Sequence, residues 1–576
     1  MKKALIAGLL VSAVSIGFAV KSSANDDWDH FRRFEFQPGT LVLSRSLYEG
    51  TASTVTIGQT LPPGCVATTV VLPTTTTPAG TTNVSVACGK ASDNGEYPNL
   101  SDTHNVWNND GPDGSFGVTS PIFLDNITTD GHLIDTLAIP SDQIVTSFSS
   151  KSELALNRSL DKKSITFVGY RGGTGFVTGP NQLDVSNSNT PGVIDPSNPV
   201  VSQYYRSVAE VDADGHIQIT EGNAYSGNNG RAAIKADSLY YLTGNDNNGG
   251  LSSKSEKPVQ TGLTDTQVGI NLVTSTGAEL LVPGQAPPVP PFINMIGDFA
   301  VTSVGYTTAD KPGKDNNFRG LTIFNHTMYV TKGSGGNGIN TVYQVGNAGQ
   351  LPSGSTAALE ALPITILPGF PTSLASGVDQ NNKPAPVMFP FGIWFANSNT
   401  LYVCDEGDGT LLKTPVNGNV ADASALATAG VQKWVLSNGT WKMVYVLQNG
   451  LNIGVPYGVT NYPAALSPAT DGCRNITGRH NGDGTVTIYA VTSTISTNGD
   501  QGADPNKLVK VTDVLNATTL PTGDGDHDRD DSWEKFVTIR TAQAGEVLRG
   551  VSFAPVDRDF DDRDGWDDHQ EPNSRR

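Results

Sequence analysis

Basic residues are scarce in this chain. Against 56 Asp and Glu it carries 37 Lys and Arg, a formal charge of −19 over 576 residues. The cations form no long stripe, which argues against a nucleic-acid surface. Cysteine is scarcer still, at four residues. No CxxC and no CxxCH occurs, so a zinc ribbon, a thioredoxin-type site and c-type haem lack support. After residue 20 no segment approaches the roughly 20 apolar residues of a membrane helix. Long helical periodicity is missing apart from short stretches such as residues 421–429. His104, His132, His216, His326 and His480 are dispersed, and no HExxH pairs any of them. No GxSxG elbow is present. The glycine run 333–338 lacks the Lys-Ser/Thr ending of a phosphate loop and reads as a turn.

The N-terminus has the layout of a signal peptide. Lys2 and Lys3 precede an apolar stretch over residues 4–20, and Ser22-Ser23-Ala24 offers small residues before Asn25. The expected organisation is a signal peptide over 1–24, a lead over 25–39, one domain over 40–555 and an acidic tail over 556–576. The mature protein is expected outside the cytoplasm, secreted or periplasmic. In an exported chain an even cysteine count favours disulfides. Proximity pairs Cys65 with Cys88 and Cys404 with Cys473.

What the chain has in abundance is turn chemistry and short β patterns. There are 63 Gly and 35 Pro. Segments such as 40–44, 164–168, 238–242, 327–331, 400–404 and 487–491 are rich in β-branched and aromatic residues and bounded by Gly, Asn or Asp. Five such strands follow another short apolar strand. These opening strands begin at Ser152, Arg231, Arg319, Phe391 and Arg474, and a sixth stands alone at Arg549. Successive starts are 79, 88, 72, 83 and 75 residues apart. Propeller blades in compact families take roughly 40–50 residues, so long connections are expected here. Within one unit, residues 431–436 and 442–447 form a hairpin about Asn438-Gly439.

The two termini complete each other. Residues 41–44, 121–125 and 133–139 supply three strands with no opening partner, and the lone strand at Arg549 supplies that partner. A blade built from both ends closes a ring and removes exposed sheet edges. The expected fold is therefore all-β, a single β-propeller of six blades. Seven remains the alternative, should a weak repeat hide in residues 285–299.

The paired strands, most clearly Phe391-Gly392-Ile393-Trp394-Phe395 followed by Leu401-Tyr402-Val403-Cys404-Asp405, resemble secreted six-bladed propellers of the NHL-repeat and gluconolactonase/regucalcin-like kind. The resemblance covers about residues 152–555 as a repeat pattern. It implies architecture and not activity. The lactonase-like members hold a metal at the tunnel mouth, and no residue here matches their ligands.

Three groupings could carry chemistry. Aligning the opening strands places Arg231, Arg319, Arg474 and Arg549 at one level around the axis. Guanidinium forks gathered there suit a carboxylate, phosphate or sulfate; equally, each could pair with a neighbouring blade and join the two. The acidic runs are the second grouping. Asp524, Asp526, Asp528 and Asp530 alternate in one; Asp562, Asp564, Asp568 and Glu571 lie in the other. Alternating carboxylates in a turn can supply several of the six to eight oxygens Ca²⁺ takes. Residues 562–571 look like a degenerate thrombospondin-type calcium repeat, with Phe560 where an Asp is expected. A solvated acidic tail is the competing reading. Third, Asp405-Glu406-Gly407-Asp408-Gly409 follows an inner strand pair, and is either a polar turn or a source of carboxylates for a metal or a general base.

Two functions stay open on this reading. One is a secreted binding or scaffold module with Ca²⁺ as its candidate cofactor, stabilising loops, and a small anion or an extracellular surface partner as its ligand. The other is a metal-dependent lactonase- or esterase-like hydrolase acting on an anionic small molecule at the channel. A monomer with no nucleic-acid partner and no membrane span is expected in either case.

Overall fold

The computed structural model describes residues 34–47, 120–146, 153–170, 206–222, 224–225, 229–245, 269–275, 294–308, 310, 317–333, 336–409, 427–464, 467–495, 504–520 and 534–557, together with short strand segments among and beside these. Six antiparallel sheets, five of four strands and one of six, stand in a ring, a six-bladed β-propeller. From the axis outward, blade 1 runs Glu546–Phe553, Leu41–Leu47, Ile122–Ile127, Leu133–Ala138. Blade 2 is Asn157–Arg158, Ser164–Arg171, Arg206–Asp212, Ile217–Gly222. Blade 3 is Gly230–Ala236, Leu239–Gly244, Ile270–Thr274, Ile293–Met295. Blade 4 is Leu321–Phe324, Thr327–Lys332, Thr341–Val345, Ile364–Ile366. Blade 5 is Pro390–Asn397, Thr400–Asp405, Gly430–Ser437, Thr440–Leu447, and blade 6 is Ala469–His480, Thr485–Ile495, Lys507–Val514, Val537–Thr541. The innermost strands touch in sequence around the full circle, with blade 1 meeting both blade 2 and blade 6. Blade 1 joins the two ends of the chain, Leu41 lying opposite Phe553 and Leu47 opposite Glu546.

The apolar residues do not gather into one central core. Among the described residues the six large clusters each straddle one blade–blade interface. Ile122 and Leu124 meet Ile165 and Phe167 between blades 1 and 2; Tyr241 and Leu272 meet Met328 and Tyr343 between blades 3 and 4. The second strand of each sheet is thus covered on both faces, and its polar–apolar alternation disappears. All eleven residues of Thr485–Ile495 are buried. This division leaves the axis to a mixture of polar and apolar inner-strand side chains.

Local sequence sets the hairpins. Ser437 pairs with Thr440 across Asn438 (φ 51°) and Gly439 (φ 76°), and Phe324 pairs with Thr327 across Asn325 (φ 47°) and His326 (φ 55°). Two left-handed central residues make a turn whose twist matches that of the flanking strands. Two places depart from the sequence expectation. The inner strand of blade 2 is Asn157–Arg158 and not the segment opening at Ser152, because Asn157 is the residue that pairs with Thr166. That blade also carries Ile144–Ser147 and Thr119–Ser120 beyond its four strands.

Adjacent blades are joined by one repeated device. A side chain on the second strand of a blade donates to a backbone carbonyl on the inner segment of the next. Ser44 Oγ reaches Leu154 O at 2.7 Å, Thr166 Oγ1 reaches Ala233 O at 2.7 Å, Thr243 Oγ1 reaches Arg319 O at 3.5 Å and Thr331 Oγ1 reaches Phe391 O at 2.6 Å. Such close approach leaves no room for side chains. A Cβ on Gly320 would sit 1.9 Å from Phe391 O, and one on Gly550 would sit 2.4 Å from Leu154 O. In blade 5 the corresponding residue is Cys404. Its Sγ lies 3.9 Å from Asn475 O and is bonded to Cys473 on the inner strand of blade 6. The expected Cys404–Cys473 bridge is therefore present, between blades. Cys65 and Cys88 lie outside the described residues.

The interface of blades 5 and 6 also buries an ionic cluster. Lys433 Nζ meets Asp513 Oδ2 at 2.9 Å with both side chains fully enclosed, and donates to Tyr445 Oη at 2.8 Å. Tyr402 and Tyr445 both donate to Asp513. Glu534 lies beside this cluster, and its burial, with the nearby Asp513 charge, pushes its carboxyl up to about 7. The native state therefore holds a proton that the unfolded chain releases near pH 4.5. Stability should fall as pH rises from about 4.5 to about 7 and level off above that. Replacing Glu534 by Gln should flatten this slope, measured by urea unfolding at pH 5, 6, 7 and 8. An unchanged slope would show that Glu534 ionises normally in the folded protein.

Candidate functional site

The axial cavity is lined by inner-strand residues, among them Asn157, Arg319, Phe391, Arg474, Asn475 and Arg549. It is small, about 20 Å³, where one water needs roughly 10–15 Å³ on such a measure. Arg231, Arg319, Arg474 and Arg549 belong to the inner segments of blades 3, 4, 6 and 1, and all are buried, at 4, 8, 8 and 5 % exposure. Arg319 and Arg474 approach the Phe391 ring of the blade between them, at 5.4 and 5.9 Å from its centroid. Attraction of a cation to a ring face supports both positions.

Carboxylates come to the same level from the other two blades. Glu406, just past the second strand of blade 5, accepts from Arg474 Nε at 3.0 Å. Glu153, in the segment leading into blade 2, is 1 % exposed; it accepts from Thr146 Oγ1, from Tyr170 Oη and from Asn229 Nδ2. Burial lowers the Arg231 pKa to about 10, opposed by Glu153 and Glu406 and assisted by Arg474. Arg231 thus lies within electrostatic reach of blades 2, 5 and 6 at once, which requires these charges to meet near the axis.

The turn after blade 5's second strand is built by its own acids. Asp405 accepts from the backbone N–H groups of Phe389 and Gly407 and from Gln432 Nε2. Burial nevertheless pushes its carboxyl up to about 7. Asp471 accepts from Gly409 N. Asp405 and Asp471 therefore hold the 406–409 turn, while Glu406 turns to Arg474. Among the described residues no three His, Cys, Asp or Glu side chains are grouped to hold a metal ion. The acidic runs at Asp524, Asp526, Asp528 and Asp530, and at Asp562, Asp564, Asp568 and Glu571, lie outside the described residues.

The sequence singled out the four Arg, and Glu406 within the 405–409 cluster, but did not pair Glu406 with Arg474 and did not single out Glu153. Glu153 lies ahead of a two-residue strand, and Glu406 sits in a turn with two other acids. Only the blade in which an apolar residue replaces the axial Arg, Phe391, marks where a carboxylate must come from elsewhere.

No protein-family model matches this chain, and no curated protein matches it in sequence. Among solved structures, the acylaminoacyl peptidase of Pyrococcus horikoshii overlaps 74 % of this chain and 49 % of its own at 9 % identity, with a TM-score of 0.25. An apocarotenoid oxygenase mutant from Synechocystis overlaps 81 % and 66 % at 8 % identity, with a TM-score of 0.19. The chain spans less than two thirds of the length of these proteins, and likeness at that level carries no argument about activity.

Proposed function

We propose that this chain is an exported binding propeller that takes a small anion at the Arg-lined end of its axis. The observation that carries the reading is that four buried Arg stand on the inner segments of four separate blades, and that three of them, Arg319, Arg474 and Arg549, line the axial cavity. A planar fork of donors suits an oxyanion. Calcium held by the acidic runs would stabilise the same exported protein.

Thermal melting with sulfate or phosphate, against chloride at matched ionic strength, tests the proposal. A ligand at about 100 times its Kd should stabilise the wild type by about 2.7 kcal/mol. Arg319→Ala should fold and lose most of that gain. Equal melting in all salts, or an undiminished gain in the variant, would refute the axial anion site.

A further inference from the structure

The described residues end at Asp557, in a defined place. Val556 N donates to Lys162 O at 3.0 Å. Residues 558–576 therefore begin beside the turn that joins the inner and second strands of blade 2. That turn, residues 159–163, is closed by Lys162 N on Ser159 O, with Lys162 in the left-handed region at φ 63°. It offers three side chains to solvent. Leu160 is 41 % exposed, uncommon for a large apolar residue among those described. Lys162 and Lys163 are partly exposed, and among the described residues neither ammonium is bridged to a carboxylate. The nearby acids are engaged. Despite burial, hydrogen bonds from Ser159 Oγ and Lys163 N, with the charges of Lys235 and Lys163, hold Asp161 below the usual carboxylate range. Glu210 is bridged to Lys235 at 2.5 Å.

The sequence that begins at this turn has the complementary chemistry. Residues 558–571 carry seven acids against two Arg, and two large aromatic residues, Phe560 and Trp566. Phe560 stands three residues past Asp557, a span of roughly 10 Å for extended chain. Its ring can thus reach Leu160, while Asp559, Asp561 and Asp562 come within reach of Lys162 and Lys163. Exposed ion pairs are individually weak. Here, however, the acids are tethered next to their target, and a short tether gives an effective concentration in the millimolar range. Several weak contacts then suffice to hold a segment that a free peptide of the same sequence would not fill.

We infer that residues 558–571 lie back on the 159–163 turn of blade 2, with Phe560 on Leu160 and the neighbouring carboxylates on Lys162 and Lys163. The first partner of the acidic tail is its own propeller. This contact does not depend on the axial anion site. Calcium taken up by the same carboxylates would compete with the ammonium groups, so the test is run in chelator.

Acetylation rates of single lysines, read by peptide mass spectrometry on the full chain, test the contact. At low salt Lys162 and Lys163 should react about threefold more slowly in the full chain than in a chain ending at Asp557, as a small set of exposed ion pairs allows. A full-length variant with Asp559→Asn, Asp561→Asn, Asp562→Asn and Asp564→Asn should match the shorter chain, and decides the matter if that chain fails to fold. Lys442, exposed on the outer strand of blade 5, should react equally in all three. Salt at about 1 M, where the screening length is about 3 Å, should remove most of the protection. Leu160→Ser in the full chain should weaken it. Equal rates at Lys162 and Lys163 in the full chain and in both variants would overturn the contact. Protection that fades as the protein is diluted would place the tail on a second copy and overturn the intramolecular reading. Protection unmoved by the four Asn substitutions would overturn the ionic part.

Discussion

A chain ending at Gly545 is expected not to fold. The missing segment holds the inner strand of blade 1, Glu546–Phe553, which pairs with Leu41–Leu47 along its whole length. Val547, Leu548, Val551 and Phe553 on that strand are at most 9 % exposed. Each such side chain is worth roughly 1.5–3 kcal/mol of burial. Their combined loss is comparable to the whole 5–15 kcal/mol by which a domain is commonly stable. The deletion also bares the edge of Leu41–Leu47 and opens the circle, so that the interface clusters on both sides of blade 1 lose part of their cover. Loss of the far-UV strand signal, or aggregation in place of a cooperative melt, would meet the expectation. A chain ending at Asp557 retains every strand of the six blades and serves as control, with a melt close to that of the full chain. A cooperative melt near the wild-type temperature in the shorter chain would mean that the ring does not depend on its terminal closure.

That closure was legible in the sequence because it follows from counting. Three strands near the N-terminus lacked an inner partner and one strand near the C-terminus lacked outer ones. The Asn438-Gly439 hairpin was legible because two successive left-handed positions restrict the residue choice. The axial Arg could be found because Arg is scarce and recurs at one place in the repeat. The links between blades could not be found in the same way. Ser44, Thr166, Thr243 and Thr331 are ordinary strand residues in a chain full of Ser and Thr, and only strand register shows that each faces the carbonyl of the next blade. Lys433 and Asp513 are 80 residues apart in different blades, and nothing local relates them. Blade 2 was misread by five residues because the alternating Leu154 and Leu156, both buried, look like a strand although pairing begins at Asn157.

Removing the Cys404–Cys473 bridge should cost about 4 kcal/mol, since the bond closes a loop over a sequence separation of 69 and the loop-entropy model gives that much for such a length. The register of Cys404 makes a finer prediction. In blades 1 to 4 the equivalent position is Ser or Thr, whose hydroxyl donates to the next blade. The bridge stands where that hydrogen bond would be, with the Cys404 sulfur facing Asn475 O. Two double variants separate loop closure from this local contact. Cys404→Ala with Cys473→Ala loses both; Cys404→Thr with Cys473→Ala loses the covalent closure but regains a donor aimed at Asn475 O. The Thr variant should be more stable than the Ala variant by about 1 kcal/mol, the usual net worth of one buried hydrogen bond. Both should remain well below the oxidised wild type in urea unfolding. If the Thr variant is no more stable than the Ala variant, the hydroxyl contacts in the other blades follow from close packing and do not hold the blades together. If it matches the wild type, chain closure contributes little, and the interface of blades 5 and 6 is held mainly by Lys433, Asp513 and the two tyrosines that bond to them.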